Sequence, residues 1–139
     1  MPGAHARGQT TSTFYSTPIG NLIYYGDSMN LRIFNAANGT VLQTLPNTSD
    51  TALEGPVIAS LNAAQPLSRV IVAATDYQSG GGIRGIRIFM DPWLGTTRGV
   101  WNQHTYHLTN VTGSTGIIPV LELPNWLAAF HNTYRAQWP

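Results

Sequence analysis

Residues 31–34 read LRIF and residues 86–89 read IRIF, two near-identical strand cores in one short chain. Each belongs to a longer unit built on one plan. Residues 21–45 read NLIYYGDSMNLRIFNAANGTVLQTL, and residues 68–101 read SRVIVAATDYQSGGGIRGIRIFMDPWLGTTRGVW. In both, an apolar strand leads through a Gly-containing gap into the near-identical core, which then runs into a turn. A supersecondary unit recurring at about 50 residues predicts blades or a repeat array, not an enzyme built around one cleft.

The first unit reads as a meander. Residues 21–25 form a strand, Gly26, Asp27 and Ser28 supply turn chemistry, and residues 31–34 return. Asn38-Gly39 predicts a two-residue type I′ hairpin turn, because both residues tolerate positive φ. Residues 41–45 form the next strand, ended by Pro46. In the second unit, residues 57–61 are apolar, and the run at residues 70–74 predicts a strand buried on both faces. Arg87 lies between Ile86 and Ile88, so strand alternation sends it to the opposite face. Residues 1–20 are expected as an arm, either flexible or donated through residues 10–17 as a strand to a neighbour's sheet edge. Residues 21–111 hold the two repeats, and residues 112–139 a C-terminal segment. There Asn125 fits an N-cap, and Leu127, Phe130, His131 and Tyr134 share the face of a short helix.

The chain has 139 residues, enough for one domain with a core, and 42% of them are hydrophobic. Only 9% are charged, against roughly 25% in ordinary globular proteins. All seven basic residues are Arg, and the net charge of +1 gives no field to steer the chain to nucleic acid or an anionic membrane. Charge repulsion normally keeps sheet edges apart, so a β-rich chain with this little charge is expected to cover its surface against something, most simply another copy. Cys is absent, which excludes disulfides, thiolate zinc sites and a Cys nucleophile. No apolar run approaches the roughly 20 residues needed to cross a bilayer. Residues 1–11, MPGAHARGQTT, lack the apolar core of a signal peptide, which leaves a processed piece, another export route or retention inside.

Four stretches carry a resemblance to a known family: NLRIFNAANGTVLQTLPNTS, LEGPVIASLNAAQPLSRVIVAATD, GIRGIRIFMDPWLGTTRGVWNQHTYHLTNV and IIPVLELPNWLAAFHNTYRAQW. From about residue 21 onward the chain resembles the C-terminal part of bacterial cell-surface proteins with integrin-like FG-GAP (VCBS-type) β-propeller repeats. That resemblance implies an all-β fold of propeller-like antiparallel blades, about two of them, in an extracellular or cell-surface protein. It also implies an Asp-rich calcium loop between the strands of each repeat. Here the corresponding stretch is LNAAQPLS, residues 61–68, without a carboxylate. Calcium takes about six to eight oxygen ligands, several of them carboxylates, so no calcium and no other cofactor is expected. Closed propellers use about four to eight blades. A two-blade piece therefore belongs to a longer protein, closes a ring with other copies, or stacks into an open array.

Catalytic constellations are not evident. The six acids, Asp27, Asp50, Glu54, Asp76, Asp91 and Glu122, are scattered, and Asp27 and Asp76 read as turn residues. A hydrolase would rest on groups such as Asp76 or His104, and no catalytic residue is assigned. His104 and His107 point to opposite faces if extended, so a metal site would need His131 brought in from the C-terminal segment. Trp93, Trp101, Tyr106, Trp126 and Tyr134 are the candidates for packing, partner or ligand contact. The alternative is a carbohydrate-binding module, in which such rings form a flat platform for sugar. Sequons occur at Asn38, Asn47 and Asn110. The expected function is that of a non-enzymatic extracellular structural or adhesive module, acting through copies of itself or a surface glycan.

Overall fold

A computed structural model describes residues 12–17, 20–49, 55–62, 64, 67–75, 84–90, 95, 97, 100, 101, 106, 107, 109–111, 116, 121, 122, 124, 127, 136 and 137. Among them there are eight strands and no helix, so the fold is all-β. Apart from Leu127, whose N–H donates to the Pro124 carbonyl at 3.2 Å, the segment expected to be helical lies outside the described residues.

The strands form two sheets. The first has five, in the order β4-β3-β2-β1-β8, and the second has three, in the order β5-β6-β7. In the first sheet β1 (Ser12–Thr17), β2 (Gly20–Gly26), β3 (Asn30–Asn35) and β4 (Val41–Pro46) run as an antiparallel meander. β8 (Ala136–Gln137) lies parallel to β1 at its outer edge. The β-prone part of the expected arm thus forms β1, and its partner is β2 of the same chain. In the second sheet β5 (Val57–Ser60), β6 (Ser68–Ala74) and β7 (Gly85–Met90) are antiparallel neighbours.

The hairpin after β3 differs from the expected two-residue turn. Asn35 donates its N–H to the Thr40 carbonyl at 2.9 Å, and Gly39 donates to the Asn35 carbonyl at 2.8 Å. The loop therefore comprises Ala36, Ala37, Asn38 and Gly39, with Gly39 at φ +73° closing it. The Asn38 Oδ1 accepts from the Thr40 N–H and hydroxyl at 3.0 and 2.8 Å. The longer loop is absorbed in β4, where the register shifts beside Ile33 and Phe34 and Leu42 has no opposite number.

The two sheets pack face to face. Leu22, Tyr24, Leu31 and Ile33 of the first meet Ile58, Val70 and Val72 of the second in one core, with Leu45 and Phe89 packed at its margin. Residues 46–49 strap the sheets together. Asn47 donates its side-chain amide to the Ala73 carbonyl at 3.2 Å, and Thr75 donates its N–H to the Thr48 carbonyl at 3.0 Å. The Arg87 guanidinium donates to the Pro46 carbonyl while lying over the Phe89 ring, 4.7 Å from its centroid. On the other side, Asn47 and Ser49 donate N–H groups to Met29 and Ser28 in the β2–β3 turn.

Candidate functional site: an open sheet face

The ladders give a residue-by-residue equivalence between the repeats. Tyr24 pairs with Ile33 as Ile71 pairs with Ile88; Tyr25 pairs with Arg32 as Val72 pairs with Arg87; Ile23 pairs with Phe34 as Val70 pairs with Phe89. LRIF and IRIF therefore occupy the same strand of the same unit. Directly opposed residues share a face, so each sheet has a front and a back. The front of the first repeat carries Leu22, Tyr24, Leu31 and Ile33. The front of the second carries Arg69, Ile71, Ala73, Ile86, Ile88 and Met90, with Val57 and Ala59 of β5 beside them. The backs carry Ile23, Tyr25, Arg32 and Phe34, and Val70, Val72, Arg87 and Phe89, respectively.

The core sets the front of the first repeat against the back of the second. Equivalent residues consequently meet opposite fates. Leu31 and Ile33 are 0% exposed, whereas Ile86 and Ile88 are 76% and 55% exposed, with Met90 also open beside them. Alternation does send Arg87 away from its isoleucine neighbours, but Arg87 and Phe89 are on the core side and the isoleucines face outward. The run at residues 70–74 is likewise buried on one face only, through Val70, Val72 and Ala74, while Ala73 is exposed on the other. Among the described residues β7 is also a sheet edge, so its exposed apolar residues and an edge backbone margin coincide.

The other candidates divide as follows. Trp101 and Tyr106 stack, with centroids 4.9 Å apart and planes 24° from parallel. Tyr106 is 1% exposed, so of the roles expected for it the structure shows packing in the interior. Trp93, Trp126, Tyr134, His104, His131 and Asp76 lie outside the described residues. His107 pairs through Nε2 with Glu122, which also accepts from the Thr109 hydroxyl at 3.2 Å. The hydrogen bond from His107, then that from Thr109, holds the Glu122 carboxyl below its ordinary value. Among the described residues no group of His, Asp or Glu is placed to hold a metal ion. Asn47 and Asn110 are buried, so only Asn38 of the three sequons is exposed.

Asp27 has a structural task. Its Oδ1 accepts the N–H groups of Met29 and Asn30 at 2.7 and 2.6 Å, and its Oδ2 accepts Arg32 Nε at 2.6 Å. Partial burial pushes its carboxyl upward, but the Arg32 bond and the two backbone donors outweigh that and hold it below 3.8. A lowered native value means the contribution is complete above the unfolded value and is lost as pH falls through the native one. Asp27→Asn is therefore expected to lower the melting temperature at neutral pH and to flatten the acid side of the profile. Melting from neutral pH to about pH 2 checks this; an unchanged slope contradicts it.

Taken together, the described residues form an all-β protein of two packed sheets in which strand β7 leaves Ile86, Ile88 and Met90 exposed. No protein-family model and no curated protein matches it. Among solved structures it is similar to the crystal structure of the V. cholerae biofilm matrix protein Bap1, with a TM-score of 0.73 and 24% identity. The match covers 91% of this chain and 21% of that one, so this chain spans about a fifth of its neighbour's length. The likeness supports the all-β fold.

Proposed function

We propose that this chain is an extracellular structural or adhesive β-repeat module of propeller type, and that it acts by contact through the front of its second repeat, without catalysis. The exposure of Ile86 and Ile88, whose counterparts Leu31 and Ile33 are sealed in the core, carries the reading. An apolar sheet face flanking an edge strand is a recognition surface in proteins that bind other proteins. The similarity to a biofilm matrix protein supports the extracellular and structural parts of the reading. The FG-GAP likeness read from residues 21–139 supports the blade interpretation, and β1 to β4 and β5 to β7 are each successive antiparallel strands.

The triple variant Ile86→Thr, Ile88→Thr, Met90→Thr keeps strand propensity and removes the apolar face. Wild type is expected to bind an apolar fluorescent dye and to be retained on an apolar surface. The variant loses most of both with an unchanged circular dichroism spectrum. Equal dye binding and retention would contradict the reading.

A further inference from the structure

We infer that the occupant of the open face is the back of a first repeat from a second copy of this chain, docked head to tail. The inference rests on the proposed contact role of that face and names its partner. The intrachain core already shows what this front accepts. In the first repeat the front is Leu22, Tyr24, Leu31 and Ile33, and what covers it is a back made of Val70, Val72 and the margin residue Phe89. In the second repeat the front is Arg69, Ile71, Ala73, Ile86, Ile88 and Met90, apolar except for Arg69 at the place of Leu22, and built on the same strands in the same register. The matching back is Ile23, Tyr25, Phe34 and Val41 of the first repeat. Its residues are partly exposed, and Val41, opposite Phe34, is 49% exposed. Among the described residues, each copy thus presents an exposed apolar margin on its second front, at Ile86, Ile88 and Met90, and a partly exposed first back.

The basic residue of the back is also repeated. Arg87 reaches across the intrachain interface to the Pro46 carbonyl at the end of β4. Arg32, its counterpart, stands on the first back and is held there by Asp27. Front and back are different surfaces, so the contact is heterologous and propagates into a ring or a filament instead of stopping at a two-fold dimer. The net charge of +1 leaves little long-range repulsion between copies.

Complementation tests this. Ile88→Glu spoils the front and Val41→Glu spoils the back; both positions are exposed, and circular dichroism verifies folding. By sedimentation, wild type is expected to rise above 15.1 kDa with concentration, while each variant self-associates at least about tenfold more weakly. An equimolar mixture of the two restores association but stops at one-to-one pairs, because only one good front and one good back remain. Three results overturn the inference: a wild type that stays monomeric at every concentration, a mixture that stays monomeric, or a Val41→Glu chain that still dimerises front to front. If the mixture fails while dye binding still depends on Ile86, Ile88 and Met90, the partner is wrong and the contact role stands. If the dye result also fails, the contact role falls with it.

Discussion

Ile33→Ala lowers the free energy of unfolding by about 2–5 kcal/mol, the usual cost of emptying a sealed isoleucine site, whereas Ile88→Ala changes it by less than about 0.5 kcal/mol. The two residues sit at the same place in near-identical strand cores, opposite Tyr24 and Ile71 respectively. Local sequence and β-propensity are matched, so the difference isolates tertiary burial. Ile33 contributes to the core shared by both sheets, and its loss leaves a cavity among Tyr24, Leu31 and Val70 or forces them to move. Ile88 is 55% exposed and loses little by truncation. Denaturant unfolding of both variants in dilute solution checks the pair. Equal destabilisation would mean that the second front is covered within the chain.

The second large effect is expected at the strap. Asn47 is 1% exposed, donates to the Ala73 carbonyl, and has an Oδ1 with no hydrogen-bond partner. Asn47→Asp is nearly isosteric, but it sets an ionised oxygen against a carbonyl oxygen in a buried place. A buried charge without a partner costs about 3–5 kcal/mol, enough to loosen the two sheets from each other. The variant carboxyl has its native value raised above the unfolded one, so the penalty is full at neutral pH. It is relieved as pH falls through that raised value, where the protonated acid donates to Ala73 as the amide did. Melting curves at neutral pH and about pH 4.5 distinguish this from simple loss of a hydrogen bond, which has no such pH dependence.

Much of the architecture was legible because strand pairing leaves local traces. The alternation in residues 21–25 and 31–34, the turn residues Gly26 to Ser28 and the repeat of LRIF as IRIF all report on nearest neighbours along the chain. Which face is buried is not a local property. LRIF and IRIF carry the same alternation, and only the packing of one sheet on the other decides that Ile33 is sealed and Ile88 is open. The strap was hidden for a similar reason. Residues 46–49 read as a strand stop followed by a sequon, and nothing in Pro-Asn-Thr-Ser announces a hydrogen bond to Ala73 on another sheet. The hairpin shows the reverse case of a strong local motif that tertiary context overrides: Asn38-Gly39 suits a two-residue turn, yet the bulge in β4 accommodates a longer loop with Gly39 in the left-handed region. Tyr106 was named for its aromatic chemistry, and its ring is spent on Trp101 and the interior.

In a single copy, equivalent residues of the two repeats differ in exposure. Methyl NMR of isoleucine-labelled protein with a soluble paramagnetic agent measures that directly, in solution dilute enough to be monomeric. Strong relaxation of the Ile86 and Ile88 methyls, with Ile33 and Ile58 protected, is the predicted result. Protection of Ile86 and Ile88 equal to that of Ile33 in the monomer would contradict it.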